Sequence, residues 1–448
     1  MVIDPVPSAV VFALEPSSRL VDRVVTGSLL AVFAVIAVWN AFSYPPVGGF
    51  DAAEHIAYAH GLVERGELPT GGASYTPPGF YVLAGAAVEL GDALGLSEPE
   101  RAAQLLNAAL GLGTALLLLA LTGLLFPGRP VVRWTALAFF VCCPLVLRTV
   151  AMFHPQPLAL FLSTLALTIT ARMIVQRRHG LWTWLSLAAT LGALQLVRSV
   201  GLWTAGVVLL TLVATAVAEP TQRRAIGKGL AIAAAAALLL ALPWYIHLQS
   251  TTGNAVFGRD ATGVPVSERW PGEFYLSPAL PDVISEPHRG EFSPRFLPIL
   301  YADSWGDYFG IWSWSPPRPE LTPRVNRRLV IQSVVGLPLT AFALAGWFAL
   351  LGLAVARRRE APARLVVVLM PLVSLVGALY YAVQHPSADG DTIKAMFLLT
   401  AVPAWAISFG FAADTLLVRS RRIAVPVLAV LAVCALVALH FATYASVS

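Results

Sequence analysis

The sequence predicts an all-α polytopic membrane protein, and three observations carry that reading. Of 448 residues, 57% are hydrophobic and 12% charged, with a mean hydropathy of +0.72. A soluble domain carries about a quarter charged residues. The apolar residues gather in runs of about 18–25, the length of a membrane-crossing helix and not of the ~10-residue alternating strands of an outer-membrane barrel. The basic residues stand in short clusters between those runs, as orientation signals do. A water-soluble enzyme and a disordered chain are both excluded by this composition. The net charge of +5 does not point to nucleic acid, because the cations are scattered. Cys142, Cys143 and Cys434 all lie in apolar runs and show no metal or disulfide spacing.

Eleven spans are expected, at about 24–43, 103–126, 131–148, 157–175, 181–198, 202–218, 229–248, 329–355, 365–383, 393–413 and 423–445. The first is too long for a signal-peptide core and reads as a retained span. The run 80–94 is short, carries Glu89 and Asp92, and follows Pro77-Pro78. If it does not cross, then Arg19/Arg23, Arg129/Arg133, Arg172/Arg177/Arg178, Arg223/Arg224/Lys228, Arg357–Arg359 and Arg419/Arg421/Arg422 all fall on one side. Positive residues mark the cytoplasmic side. The N-terminus is therefore placed inside and the C-terminus outside, and 80–94 lies at the outer interface or re-enters. The whole chain, 1–448, reads as one integral-membrane domain with two large external segments, 44–102 and 249–328. The cytoplasmic connections are short, so the chemistry is expected outside. Only two of the 30 basic residues, Lys228 and Lys394, are lysines, a bias that suits a GC-rich bacterial genome and hence a bacterial plasma (inner) membrane.

Ionisable groups at a membrane are costly and tend to be functional. External segment one opens with Gly48-Gly49-Phe50-Asp51-Ala52-Ala53-Glu54-His55. On a helix starting near Asp51, Glu54 and His55 share its face. Asp51 suits a general base; it also suits a helix N-cap, with Glu54 in a capping box of sorts. Glu54 and His55 would support it, touch the acceptor, or join it around a divalent metal, although the spacing is not HExxH. Tyr75-Thr76-Pro77-Pro78-Gly79-Phe80-Tyr81 reads as a helix start. Tyr75 and Tyr81 are then either an aromatic belt or a lipid-facing wall beside Asp51.

Arg148, Arg198 and Lys394 flank short outer turns, against the positive-inside rule. An anionic lipid phosphate would compensate them; so would pairing, for Lys394 with Asp389 or Asp391, or snorkelling. His154 and Gln156 open the fourth span. In the second external segment Asp303, Trp305, Asp307 and Tyr308 set carboxylates among aromatic rings. That mixture suits a sugar, with its apolar faces and many hydroxyls, and equally suits an interfacial girdle.

The stretches GGFDAAEHIAYAHGLVERGELP, YTPPGFYVLAG, FHPQPLALFLSTLAL, YADSWGDYFG and DTIKAMFLLTAVPAWA run in order from about 48 to 407. In order and sidedness the chain resembles the GT-C superfamily of integral-membrane glycosyltransferases, most of all the bacterial relatives of protein O-mannosyltransferases and the lipid A aminoarabinose transferase. The resemblance implies a GT-C fold with membrane-parallel helices in external segment one. It implies Asp51 as catalytic base and a polyprenyl-phosphate-linked sugar as donor, with no required cofactor. Many members place Glu directly after that Asp; here Ala52 follows, and the nearest Glu is Glu54. The function expected is inverting transfer of a sugar to a hydroxyl of an envelope glycan, lipid or protein, amid membrane lipid. Lys394, then Arg198 and Arg148, are the expected phosphate cations. The other classes weighed are a transporter or flippase of lipid-linked sugar, and a non-catalytic GT-C-like scaffold subunit. Against transport, no internal repeat is visible and the ionisable residues sit at span ends.

Overall fold

Hydrocarbon offers no partner to a backbone amide, so long apolar runs fold as helices, which satisfy their amides internally. A computed structural model describes residues 16–255, 269–280, 282–288, 295–313, 322–356, 362–386 and 392–444. Among them every regular element is helical: α1 (Pro16–Ser43), α2 (Ala52–Arg65), α3 (Gly79–Ala93), α4 (Arg101–Leu125), α5 (Pro130–Val141), α6 (Pro144–Thr149), α7 (Gln156–Val175), α8 (Leu181–Gln195) and α9 (Gly201–Ala218). There follow α10 (Arg223–Thr252), α11 (Gly272–Leu276), α12 (Asp282–Ser285), α13 (Phe296–Trp305), α14 (Pro323–Ala356), α15 (Leu365–Gln384), α16 (Val402–Arg419) and α17 (Arg421–Phe441). Asp389 and Asp391, expected beside Lys394, and the cluster at 357–359 lie outside the described residues.

Among the described residues nine helical stretches are long and apolar enough to cross a membrane; they contain α1, α4, α7, α9, α10, α14, α15, α16 and α17. The chain is a multi-pass membrane protein with an all-α fold. The other two expected spans are shorter. The run 131–148 is not one helix: α5 stops at Cys142-Cys143, and α6 restarts at Pro144, which has no N–H to continue the ladder. The run 181–198 stops at Gln195 as the 15-residue α8. The start of the expected tenth span, Ala395–Ala401, is a 3₁₀ helix leading into α16. External segment one holds α2 and α3, of 14 and 15 residues, both short of the ~20 needed to span.

Close packing fixes the frame around these segments. α16 packs on α5 and α14, α4 on α7, and α3 on both α2 and α4. At one crossing a Cβ on Gly346 of α14 would fall 1.9 Å from the Ser408 carbonyl oxygen; only glycine lets the backbones approach so closely.

Three polar residues on one face of α4 hold neighbouring helix ends in place. Arg101 donates to the carbonyls of Ala41 and Phe42. Gln104 donates to the carbonyls of Tyr44 and Ala151 at 3.0 and 2.7 Å. Asn107 donates to those of Met152 and His154 at 2.8 and 3.0 Å. This i, i+3, i+6 stripe ties the exit of α1 to the turn before α7. Asn40 links α1 to the end of α17 through Ala442 and Tyr444. Tyr44 stacks on Trp312 at 4.6 Å.

Candidate functional site

The chain enters α2 through Gly49, Phe50 and Asp51. Gly49 has φ +107°, and a Cβ there would meet Met152 at 3.1 Å. Asp51 is left-handed (φ 54°, ψ 25°) at the N-cap position, yet its side chain makes no capping hydrogen bond. Asp tolerates this region better than most residues, though it carries strain. The carboxylate is left free of the helix and 42% exposed, 3.7 Å from the Lys394 ammonium. Lys394 precedes the 3₁₀ helix and is 9% exposed. Its Nζ sits 4.8 Å from the centre of the Phe50 ring, so Phe50 and Asp51 together hold one buried cation.

A cavity of about 240 Å³ opens in front of that pair. Of the residues expected from sequence, Asp51, Glu54, Tyr75, His154, Arg198 and Lys394 line it. They come from five segments far apart in the chain. Arg198, in the turn between α8 and α9, reaches the Thr76 hydroxyl at 3.4 Å and the Phe397 ring at 5.9 Å. The Gly79 amide donates to the Leu196 carbonyl at 2.7 Å, docking the start of α3 on the same turn. Sequence reasoning missed Ser199, Trp203, Tyr381, Thr392, Met396 and Phe397, which complete the wall. Ser199, Thr392, Met396 and Phe397 each stand within three residues of an expected cation; Trp203 and Tyr381 carry no local signal.

Behind the wall, His55 is 1% exposed. The Tyr81 hydroxyl and His55 Nδ1 share a hydrogen bond at 2.7 Å, so Tyr81, fully buried, is a support and not a lipid-facing wall. The His154 ring meets His55 edge-on at 4.7 Å and accepts from the Gln156 amide. Burial, then Arg198 and Lys394, against the opposing pull of Asp51, hold the His55 pKa down to about 3; His154 is lowered as well, by burial first. Both imidazoles are neutral beside two fixed cations. Gln156 is fully buried away from the cavity wall.

The remaining expected residues lie away from this cavity. Arg148 is buried; it donates to the Asp303 carbonyl at 2.6 Å and pairs with Asp307 at 3.6 Å. Asp307 accepts the amides of Ile311, Trp312 and Ser313. Asp303 accepts the Ala395 amide at 2.7 Å. Trp305 donates to Thr340, and Tyr308 is 1% exposed. None of these five lines the cavity. Their carboxylates and rings are consumed by neighbours, and Arg148 already has its counter-ion.

Among the described residues no group of three or more His, Cys, Asp or Glu side chains is arranged to hold a metal. In particular Asp51, Glu54 and His55 do not converge, because His55 turns inward to Tyr81. What the cavity offers is a partly solvated carboxylate facing two fixed cations. Cations of this kind bind phosphate oxygens, and such a carboxylate can take a proton.

No family model matches the chain, and no curated protein sequence matches it. Solved structures do. The apo oligosaccharyltransferase of Archaeoglobus fulgidus superimposes with a TM-score of 0.59 at 14% identity, covering 94% of this chain and 56% of that one. The same enzyme, AglB, in complex with an inhibitory peptide and a dolichol-phosphate gives 0.56 at 15% identity, covering 94% and 55%. ArnT from Cupriavidus metallidurans bound to undecaprenyl phosphate gives 0.41 at 17% identity, covering 86% and 77%. The chain thus spans little more than half the length of the oligosaccharyltransferase. It shares the GT-C fold of that oligosaccharyltransferase.

Proposed function

We propose that the protein is an inverting glycosyltransferase that takes its sugar from a polyprenyl-phosphate carrier on the outer face of a bacterial plasma membrane. The single observation that carries this reading is the grouping of the Asp51 carboxylate with Lys394 and Arg198 around one cavity. A fold shared with an enzyme solved with dolichol-phosphate supports the carrier class.

The sugar phosphate binds with its phosphate at Lys394 and Arg198 and its anomeric carbon toward Asp51. An acceptor hydroxyl attacks that carbon from the face opposite the phosphate. The new bond joins acceptor oxygen to anomeric carbon, and the bond from that carbon to the phosphate oxygen breaks. Asp51 takes the hydroxyl proton, and the electron pair of the broken bond leaves with the carrier phosphate. Negative charge grows on the phosphate as it departs, so cations held in place by packing stabilise the transition state more than the ground state. Phosphate binding also draws Lys394 away from Asp51 and frees the base. Neutral His55 and His154 back the site without competing for the proton. The acceptor is a hydroxyl of an envelope glycan, lipid or protein.

The test is transfer from radiolabelled polyprenyl-phosphate sugars by the purified protein in lipid nanodiscs. General-base catalysis contributes about 10²–10⁴-fold. Asp51→Asn keeps the shape and the tolerance for a left-handed backbone, and should lose at least about 10²-fold of the transfer rate at unchanged melting temperature. Transfer at the wild-type rate would remove Asp51 from the reaction.

A further inference from the structure

A second cavity, of about 410 Å³, lies on the other side of Glu54, between α2 and the segment 67–73. Glu54 and Gly72 line both cavities, so the two share one thin wall. The wall is thin because Gly72 is left-handed (φ +57°) and lacks a side chain. A Cβ there would fall 2.9 Å from the Glu54 carboxyl carbon. Along the inner side of the second cavity runs Tyr58, which is 1% exposed and stacked on Tyr81 at 3.8 Å. Its hydroxyl is buried with no hydrogen-bond partner among the described residues. Buried polar groups are rarely left so. Arg65, paired with Glu67 at 3.6 Å, stands at the same cavity.

We propose that this second cavity is the acceptor subsite and that it takes a carbohydrate, with Glu54 and Tyr58 as the residues that select it. The inference rests on the reading of the first cavity as the donor site. A direct group transfer needs two substrates that meet at one base, and two adjoining cavities allow that. The donor side is cationic, with Lys394 and Arg198, and suits a phosphate. The second side has no unopposed cation: Glu54, the Arg65–Glu67 pair, the Tyr58 hydroxyl and the backbone of 68–73 present donors and acceptors of both kinds. That mixture suits a neutral molecule with many hydroxyls and repels a second phosphate. Glu54 lies one helical turn beyond Asp51. It accepts a hydrogen bond from an acceptor hydroxyl at the boundary and aims that oxygen at the donor side, as a positioning residue.

Gly71 supplies a clean block. Its backbone is extended (φ −148°, ψ −174°), and a Cβ there meets nothing within 4 Å. A side chain at Gly71, which lines this cavity, is therefore tolerated without straining the chain, and Gly71→Trp is the blocking variant. The experiment uses the full chain in lipid nanodiscs. Saturation-transfer NMR reads binding of two probes, methyl α-D-mannopyranoside and methyl β-D-galactopyranoside. Undecaprenyl phosphate binding is measured on the same samples. At least one glycoside should bind the wild type. Gly71→Trp should lower its signal at least tenfold, with smaller losses for Tyr58→Phe and Glu54→Gln. Gly71→Trp and Tyr58→Phe, which alter residues outside the lining of the first cavity, should bind undecaprenyl phosphate as the wild type does. Lys394→Ala should do the reverse. Glycoside binding that survives Gly71→Trp, or that disappears in Lys394→Ala, would overturn the assignment, as would the absence of any glycoside signal. A wild type that fails to bind undecaprenyl phosphate defeats the reading of the first cavity instead.

Discussion

The segment that enters α2 and the segment that ends α13 both set aspartates among aromatic rings, and each lies against one buried cation. At residues 301–313 both aspartates are taken. Asp307 caps three backbone amides and faces Arg148, and Asp303 accepts from Ala395. At residues 48–58 the aspartate is left-handed, uncapped and partly solvated, with Lys394 at 3.7 Å. Satisfied, buried carboxylates hold elements together. A strained, unsatisfied one at a cavity wall is what a reaction uses. Residue type does not separate the two cases; the state of the hydrogen bonds does.

The sharpest way to break this contrast is to remove Asp307. Asp307→Ala leaves Arg148 buried without its counter-ion, a loss of about 3–5 kcal/mol for a buried pair. The melting temperature should fall by many degrees while undecaprenyl phosphate affinity, measured below that temperature, holds. Stability equal to wild type, or a selective loss of phosphate binding, would move Arg148 and Asp307 into the site.

A smaller effect sharpens the view of His55 and His154 as neutral supports. Both are held below their ordinary pKa of 6.5, His55 to about 3. As pH falls below 6.5 the unfolded chain takes up protons that these buried rings refuse, so stability drops, by up to about 1.4 kcal/mol per pH unit for each ring. Asp303 opposes this. Burial raises it to about 6, so between 6 and 3.8 the folded chain holds a proton that the unfolded one releases. Two rings outweigh one carboxylate. The melting temperature should fall between pH 7 and pH 4.5, and fall less in His55→Gln/His154→Gln. Equal falls would mean that the rings are already charged in the folded protein.

Much of the site was legible before the fold was known, for a physical reason. Lys394 and Arg198 stand out as cations on the wrong side of a positively biased topology, and Asp51 as a carboxylate at the end of an apolar run. Arg148 gave the same signal and had a different fate, because its partner Asp307 lies far along the chain. Pairing across such a distance leaves no mark on either neighbourhood. The break at Cys142-Cys143-Pro144 was not readable from its proline, because Pro243, Pro338, Pro371 and Pro426 stand inside unbroken helices. Tyr381 and Trp203 reach the cavity only through packing of α15 against α9. The polar stripe Arg101, Gln104, Asn107 was visible at helical spacing; it holds the site's backbone and touches no cavity.

The most direct measurement is a cryo-electron microscopy structure of the full chain in nanodiscs with undecaprenyl phosphate. The phosphate should lie within hydrogen-bonding distance of Lys394 and Arg198, with Lys394 withdrawn from Asp51 and the carboxylate turned to open space. A phosphate bound elsewhere, with the Asp51–Lys394 pair unbroken, would contradict the assignment of this cavity to the donor.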